Sequence, residues 1–415
     1  MMSQYTIAAL VGSLIDKHGS RLASLIAGLL FFTGFGAFAY EVHDCPEDFE
    51  PSQAFFYRLV FYFLLTGFGT VFGYFSSLFA ASKAFPQNLG LASGFSMALF
   101  GLSPLFLCSI ATSHFKDHVS GLINVTNYMS FLALSTGIVF TIGYFNLAAL
   151  PSRPEHEQAN SAPTESTPLL DSELPHATLA TDRSIKALLK DFNFYLLLVI
   201  CVVLLGAGEM VISNIGTIVM SLASDGASNN TMDASSAAAF QVKLFSVANT
   251  VTRITVGPLA DLLVPSASPD ITAVVSLRKH RFSRYTFLSI SSLTMALTFA
   301  WTALEVRNPS QIWVLSLGIA TAYSSVFTIL PSIISAMWGI ENVARNFGIL
   351  MYAPFTGTPA FSYIYAFISE AHTQPGTRIC QGVSCWYSTF LFCASTSLLS
   401  LVASLILWKR WHGKI

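Results

Sequence analysis

Charged side chains are scarce in this sequence. Lys, Arg, Asp and Glu together make up 10% of its 415 residues, where a soluble domain carries about a quarter. So little charge excludes an ordinary water-soluble globule of this length. A formal net charge of −1 excludes partners drawn in by long-range attraction, nucleic acid among them. Cysteine is rare too: six in the whole chain, too few for a disulfide framework. There is no glycine-rich phosphate loop ending in lysine, no nucleophile elbow and no H-E-x-x-H helix. The missing phosphate loop argues against a primary ATP-driven pump, and the missing catalytic motifs against an enzyme. The first fifteen residues have no basic flank, so they do not read as a cleavable signal peptide.

Apolar residues dominate instead. The chain is 53% hydrophobic and holds 35 phenylalanines. Runs long enough to cross a bilayer core of about 30 Å recur along its whole length. The spans are expected at Gln4–Ile15, Leu22–Tyr40, Ala54–Ala80, Gly90–Thr112, Thr126–Leu150, Phe192–Ser221, Ala239–Leu259, Tyr285–Val306, Ile312–Trp338, Phe347–Ile368 and Tyr387–Trp408. That is an all-α polytopic membrane protein of about eleven helices. Residues 1–150 would form a first helix bundle and residues 192–415 a second. Residues 151–191 between them are rich in Pro, Ser, Thr, Glu and His and read as a disordered linker. Its end, from Arg183 to Lys190, is amphipathic and suits a membrane surface.

The hairpin between the first two runs is Gly12, Ser13, Leu14, Ile15, Asp16, Lys17, His18, Gly19, Ser20 and Arg21. Its pattern G-x-L-x-D-x-x-G-x-R resembles the signature loop of major facilitator superfamily transporters. A shorter copy returns at Gly257, Leu259 and Asp261, with the same offsets. Two copies of one boundary motif suggest two homologous, pseudo-symmetric bundles. The resemblance implies the major facilitator fold and a secondary transporter working by alternating access. In that reading Gly12, Asp16, Gly19, Arg21, Gly257 and Asp261 form the gate, with Asp16 capping a neighbouring helix or pairing with Arg21. Similar transporters have one full helix before the signature helix, and this chain is expected to lack it.

Lysine and arginine set the orientation. With the Lys17 and Arg21 loop in the cytosol, alternation puts 15 of the 21 basic residues on that side. The linker and the C-terminus are then cytosolic. The two N-x-S/T sequons, at Asn124 and Asn229, both fall on the opposite side and are candidate glycosylation sites. Glu165, Leu169 and Leu170 in the linker match E-x-x-x-L-L, the form in which sorting adaptors read cargo bound for vacuoles. Cys380 and Cys385 share a non-cytosolic loop and are either paired or free. His43, Asp44, Cys45, Glu47 and Asp48 crowd another such loop and read as a solvated acidic stretch, with no metal site.

Two stretches point to a transport pathway. Asn249 through Arg253 resembles the eighth helix of monocarboxylate transporters, where an acid precedes an arginine by four residues. Here the acid position is Asn249. Arg253 is then either a site for a substrate anion or a structural arginine on Asp261 or helix carbonyls. The run Gly206, Gly208, Glu209, Ser213, Asn214 and Gly216 resembles nodulin-like members. With Phe85 to Gly90, it points to the fungal monocarboxylate-transporter-homologue branch. A charge at mid-membrane costs at least about 2.5–3.5 kcal/mol and needs a partner or a function. Counted from the expected helix ends at Ser221 and Ala239, Glu209 and Arg253 lie at nearly the same depth, about 18 Å and about 21 Å. They are expected to face the cavity between the bundles, either exchanging a proton and a substrate anion or forming a static ion pair. Asn214 and Asn249 join them as coupling candidates.

These expectations combine into one reading. The chain is a monomeric, multi-pass protein of the vacuolar membrane that moves a small solute, an organic anion or monocarboxylate-like, with protons as coupling ion. Its partners are the lipid bilayer, the solute and a sorting adaptor complex, with no cofactor and no nucleic acid. The alternative is a transport-inactive transceptor or scaffold that keeps the fold.

Overall fold

In the computed structural model, residues 2–43, 52–115, 124–147, 185–223, 231–264, 283–374 and 380–411 are described. Fourteen α-helices run through them: α1 (Met2–Thr6), α2 (Ala8–His18), α3 (Ser20–His43), α4 (Gln53–Ala84), α5 (Leu89–His114), α6 (Val125–Asn146), α7 (Ile185–Lys190), α8 (Phe192–Ala223), α9 (Thr231–Leu263), α10 (Arg284–Glu305), α11 (Trp313–Trp338), α12 (Val343–Leu350), α13 (Tyr352–Ala371) and α14 (Tyr387–Trp411). Eight of them are long and apolar enough to cross a membrane. Taking α1 with α2 and α12 with α13 as broken rods, the described residues hold eleven crossing segments. In lipid the helix satisfies every backbone group within its own segment, which is why such runs fold this way.

Each broken rod has a local cause. At Ile7 the helix stops before α2 begins, and the Thr6 hydroxyl turns back to the Ser3 carbonyl, a side-chain bond that competes with the helical ladder. At Met351 the chain bends just ahead of Pro354, which has no N–H to continue the ladder. Two expected boundaries move. The sixth helix ends at Asn146, short of Leu150. Helix α9 begins at Thr231, eight residues before the expected Ala239, because the Asp-Ala-Ser-Ser-Ala-Ala stretch before it has no breaker and continues the helix.

The first half packs α3 between α4 and α6. The second packs α10 against α14 and α11, and α8 against α13 and α14. The halves meet along two seams, α2 with α12 and α5 with α9. Burial is uneven. Helices α8 and α11 are buried over two-thirds of their spans, while α6 is buried over a tenth. Leu197, Ile200, Leu204, Ile218, Ile319, Val326, Ile329 and Ile333 are fully enclosed. On α5 and α6, Phe95, Leu99, Phe106, Leu134, Ile138 and Phe145 are exposed, as suits side chains turned to lipid tails. The helix α7 docks by the buried Leu188, and Asp191 beside it accepts from the Trp338 indole at 3.0 Å.

On the face away from the signature loop, Cys380 and Cys385 are joined by a disulfide and both are buried. The Gly382 N–H donates to the Ser221 carbonyl at 2.8 Å, and the Trp386 indole donates to the Ser221 hydroxyl at 3.2 Å. The stapled loop therefore sits on the end of α8.

Candidate functional site

The two glycine–aspartate motifs occupy matching positions on the two seams. A side chain at Gly12 would collide with the Ala344 carbonyl, and one at Gly348 with the Ala8 carbonyl. On the other seam, Gly257 faces the Gly90 carbonyl, and Gly94 faces the Arg253 carbonyl. Each seam is thus built on the same four-residue step, backbone against backbone, which only glycine allows.

The aspartates close each seam at the end that carries the signature loop. Asp16 accepts from the Arg345 N–H at 2.8 Å and pairs with Lys83 at 3.0 Å. Asp261 accepts from the Gly90 and Leu91 N–H groups at 3.0 and 2.8 Å and pairs with Arg284 at 3.5 Å. Each carboxylate caps the first turn of a helix from the opposite bundle, where the helix dipole favours negative charge. Gly19 holds φ +81 in the one-residue turn between α2 and α3.

Arg21 departs from its expected place. It does not pair with Asp16; its Nε donates to the Tyr144 carbonyl at 3.0 Å and its guanidinium lies over the Tyr144 ring. The reason is position: α3 turns away at Ser20 toward α6, and Lys83 takes the carboxylate. Arg253 likewise does not reach Asp261, whose charge partner is Arg284.

Deeper in the membrane sit Glu209 on α8, 3% exposed, and Arg253 on α9, 4% exposed. Hydroxyls alone hold Glu209. It accepts from Tyr5 of the first bundle, from Tyr323 at 3.2 Å and from Thr358 at 2.8 Å. Arg253 donates to the Met97 carbonyl of α5 at 3.2 Å and lies over the Phe327 ring at 5.8 Å. Its Nε and the Asn249 Oδ1, one turn away on α9, are buried with no protein partner. Among the described residues no ion pair joins Glu209 to Arg253. The expected equal depth is also corrected, since the true start of α9 shifts the count. Glu209 meets Tyr323 and Arg253 meets Phe327, one turn, about 6 Å, further along α11 toward Trp338. The Tyr323 and Phe327 rings, 4.9 Å apart, fill that step. Asn214 turns its amide onto its own helix, at the Met210 carbonyl.

Among the described residues no three His, Cys, Asp or Glu groups gather to hold a metal. Asp44, Cys45, Glu47, Asp48, Glu165, Leu169, Leu170 and Asn229 lie outside the described residues. Asn124 caps α6, its side chain accepting from the Asn127 N–H at 3.0 Å. The partners of Glu209 and Arg253 (Tyr5, Tyr323, Thr358, Met97, Phe327) carry no sequence signal. They meet only through helix packing across intervals of more than seventy residues.

The family model described as Major Facilitator Superfamily matches residues 2–275. The chain belongs to that superfamily. Its curated relatives include a "Probable transporter MCH1" of Gibberella zeae, 26% identical over 97% of this chain and 80% of the relative. The protein of the same description in Saccharomyces cerevisiae is 22% identical, over 100% and 84%. Two solved members share the fold. The proton:xylose symporter XylE has a TM-score of 0.60 at 18% identity, over 98% of this chain and 83% of that one. The transporter FucP in its outward conformation has 0.60 at 12% identity, over 98% and 87%. As a major facilitator protein, the chain carries its paired seams and its two buried charges on the architecture of a transporter.

Proposed function

We propose that this protein is a secondary active transporter of a small organic anion, driven by protons and working by alternating access in the vacuolar membrane. The observation that carries the reading is the pair of buried charges, Glu209 and Arg253. Each belongs to the second bundle, and each is tied to the first, Glu209 through Tyr5 and Arg253 through the Met97 carbonyl and Tyr74. A charge so placed costs several kcal/mol unless it serves the pathway. The Arg253 Nε is a donor without a protein acceptor, and Asn249 beside it offers an acceptor; together they suit a carboxylate with a neighbouring donor group. Among the described residues Glu209 has hydroxyl donors and no basic side chain in an ion pair with it, so it can exchange a proton without breaking one. Asn214 lies one turn and a half above it on the same helix. The relatives described as transporters favour the same reading, as do the human organic anion transporter MFSD10 and the sugar–proton symporters among the solved folds.

The orientation proposed here puts the glycine–aspartate seams, the linker and the C-terminus in the cytosol. The buried disulfide then faces the other side, where disulfides persist. The linker dileucine, Glu165 with Leu169 and Leu170, would hand the protein to a sorting adaptor, and Asn124 and Asn229 would face the lumen. The transporter acts as a monomer on this reading.

Flux into vesicles carrying the full chain tests it. Glu209→Gln is expected to lose uptake driven by a proton gradient while still exchanging labelled anion across the membrane. Arg253→Lys is expected to weaken both by tenfold or more, because a lysine point charge cannot reproduce the guanidinium fork. Normal uphill uptake in Glu209→Gln, or normal exchange in Arg253→Lys, ends the proposal.

A further inference from the structure

Among the described residues, three carboxylates accept hydrogen bonds across the two bundles. Two are the seam aspartates, whose acceptors are backed by Lys83 and Arg284. The third is different. Tyr5, on the short α1 ahead of the break at Ile7, donates its hydroxyl to Glu209. It is buried, as is the carboxylate it meets. The other two donors on Glu209, Tyr323 and Thr358, come from α11 and α13 in the same bundle as the glutamate. Tyr5 is the one donor from the opposite bundle.

We propose that Tyr5 is the positioning residue that reports the charge state of Glu209 to the contact between the bundles. This rests on the alternating-access reading above. A hydrogen bond to an ionised carboxylate is roughly twice as strong as one to a neutral acid. With Glu209 ionised, Tyr5 holds α1 against α8 and the cytosolic seams stay shut. When Glu209 takes a proton, the O–H it gains must be satisfied too, and Tyr323 and Thr358 remain beside it within its own bundle. The tie from Tyr5 is the one that weakens at the interface. The groups facing Glu209 from the elements packed on it are Tyr5, Tyr323 and Thr358. Arg253 stands beyond the Tyr323 and Phe327 rings and bonds to Met97, so among the described residues no basic side chain pairs with the carboxylate. The break at Ile7 lets α1 move with this contact while α2 stays meshed on α12.

The test reads closure of the seam without any transported solute. Ser93 on α5 donates to the Thr328 carbonyl of α11 across the bundles at 2.8 Å and is fully buried. In the full chain bearing Ser93→Cys, alkylation by a small membrane-permeant maleimide reports opening at that seam. At one fixed pH near neutrality, Tyr5→Phe is expected to raise the alkylation rate fivefold or more. Glu209→Gln should raise it by a similar factor, and the double variant should go no further than either single. Thr217→Val removes a hydroxyl contact to Tyr365 within the second bundle without touching Glu209 and is expected to leave the rate unchanged. The buried Cys201 in α8 monitors the fold. An unchanged rate in Tyr5→Phe would overturn the proposal. So would a full additive effect in the double variant, an equal rise in Thr217→Val, or a parallel rise at Cys201. Because no gradient or solute enters the measurement, failure here leaves the anion-transport reading to be judged by flux alone.

Discussion

The weaker copy of the motif should be the stronger latch. By sequence the first copy is complete and the second has lost everything after its aspartate. The structure reverses the expected order of strength. Asp16 accepts from the Arg345 N–H at 2.8 Å, with the Ala344 N–H beside it, and has one charge partner, Lys83, whose side chain is 28% exposed. A pair so open to solvent contributes about 0–1 kcal/mol, and one charge-assisted backbone bond about 1.5–3 kcal/mol. Asp261 has two backbone donors and a partner, Arg284, that is 3% exposed. Taking the carboxylate from a buried guanidinium costs about 3–5 kcal/mol, although Arg284 keeps bonds to the Ser332 and Val264 carbonyls. An asparagine retains one acceptor oxygen in each case. Asp261→Asn should therefore weaken closure by about 3–5 kcal/mol and Asp16→Asn by about 1–2 kcal/mol, a ratio of at least about fivefold between them at 1.4 kcal/mol per decade. Alkylation of the Ser93→Cys background measures both. Adding Arg284→Met to Asp261→Asn should recover part of the loss, since the buried cation goes with its partner. Equal rates in the two single variants, or a larger effect from Asp16→Asn, would refute the assignment of strength to the buried pair.

Two further outcomes follow from the loop and the linker. Cys380→Ser with Cys385→Ser should lower the stability of the chain by about 2 kcal/mol, the loop-closure value for so short a ring. Thermal unfolding in detergent would show it as a drop of a few degrees, and an unchanged midpoint would mean the Trp386 and Gly382 contacts hold the loop alone. Replacing Leu169 and Leu170 with alanine should send a tagged protein to the cell surface, and microscopy showing it still on the vacuole would remove the dileucine from the sorting account.

The parts of the fold that depend on one-dimensional patterns were readable from the sequence. Each crossing helix is an apolar run, because a membrane demands continuous apolarity and no partner has to be known. The seam residues Gly12, Asp16, Gly257 and Asp261 were readable because the repeat places them twice. What could not be read depends on which helices lie side by side. Lys83 takes Asp16 in place of Arg21 because α4 packs there and α3 leans toward α6. Glu209 and Arg253 do not pair because α11 inserts Tyr323 and Phe327 between them. The early start of α9 hid in an Ala- and Ser-rich stretch that is neither apolar enough to read as a span nor broken enough to read as a loop. That shift adds eight residues, about 12 Å, to the count from the start of α9 to Arg253.

The glycine steps on the two seams also restrict how the halves can move. Gly12 and Gly348 on one seam, and Gly257 and Gly94 on the other, seat a carbonyl in each notch at a spacing of one helical turn. A piston shift of one bundle along the membrane normal would drive those carbonyls off the glycines and against neighbouring side chains, on both seams at once. Tilting lifts the teeth out of the notches with no such collision. The mesh therefore resists sliding along the seams and favours rolling open about them.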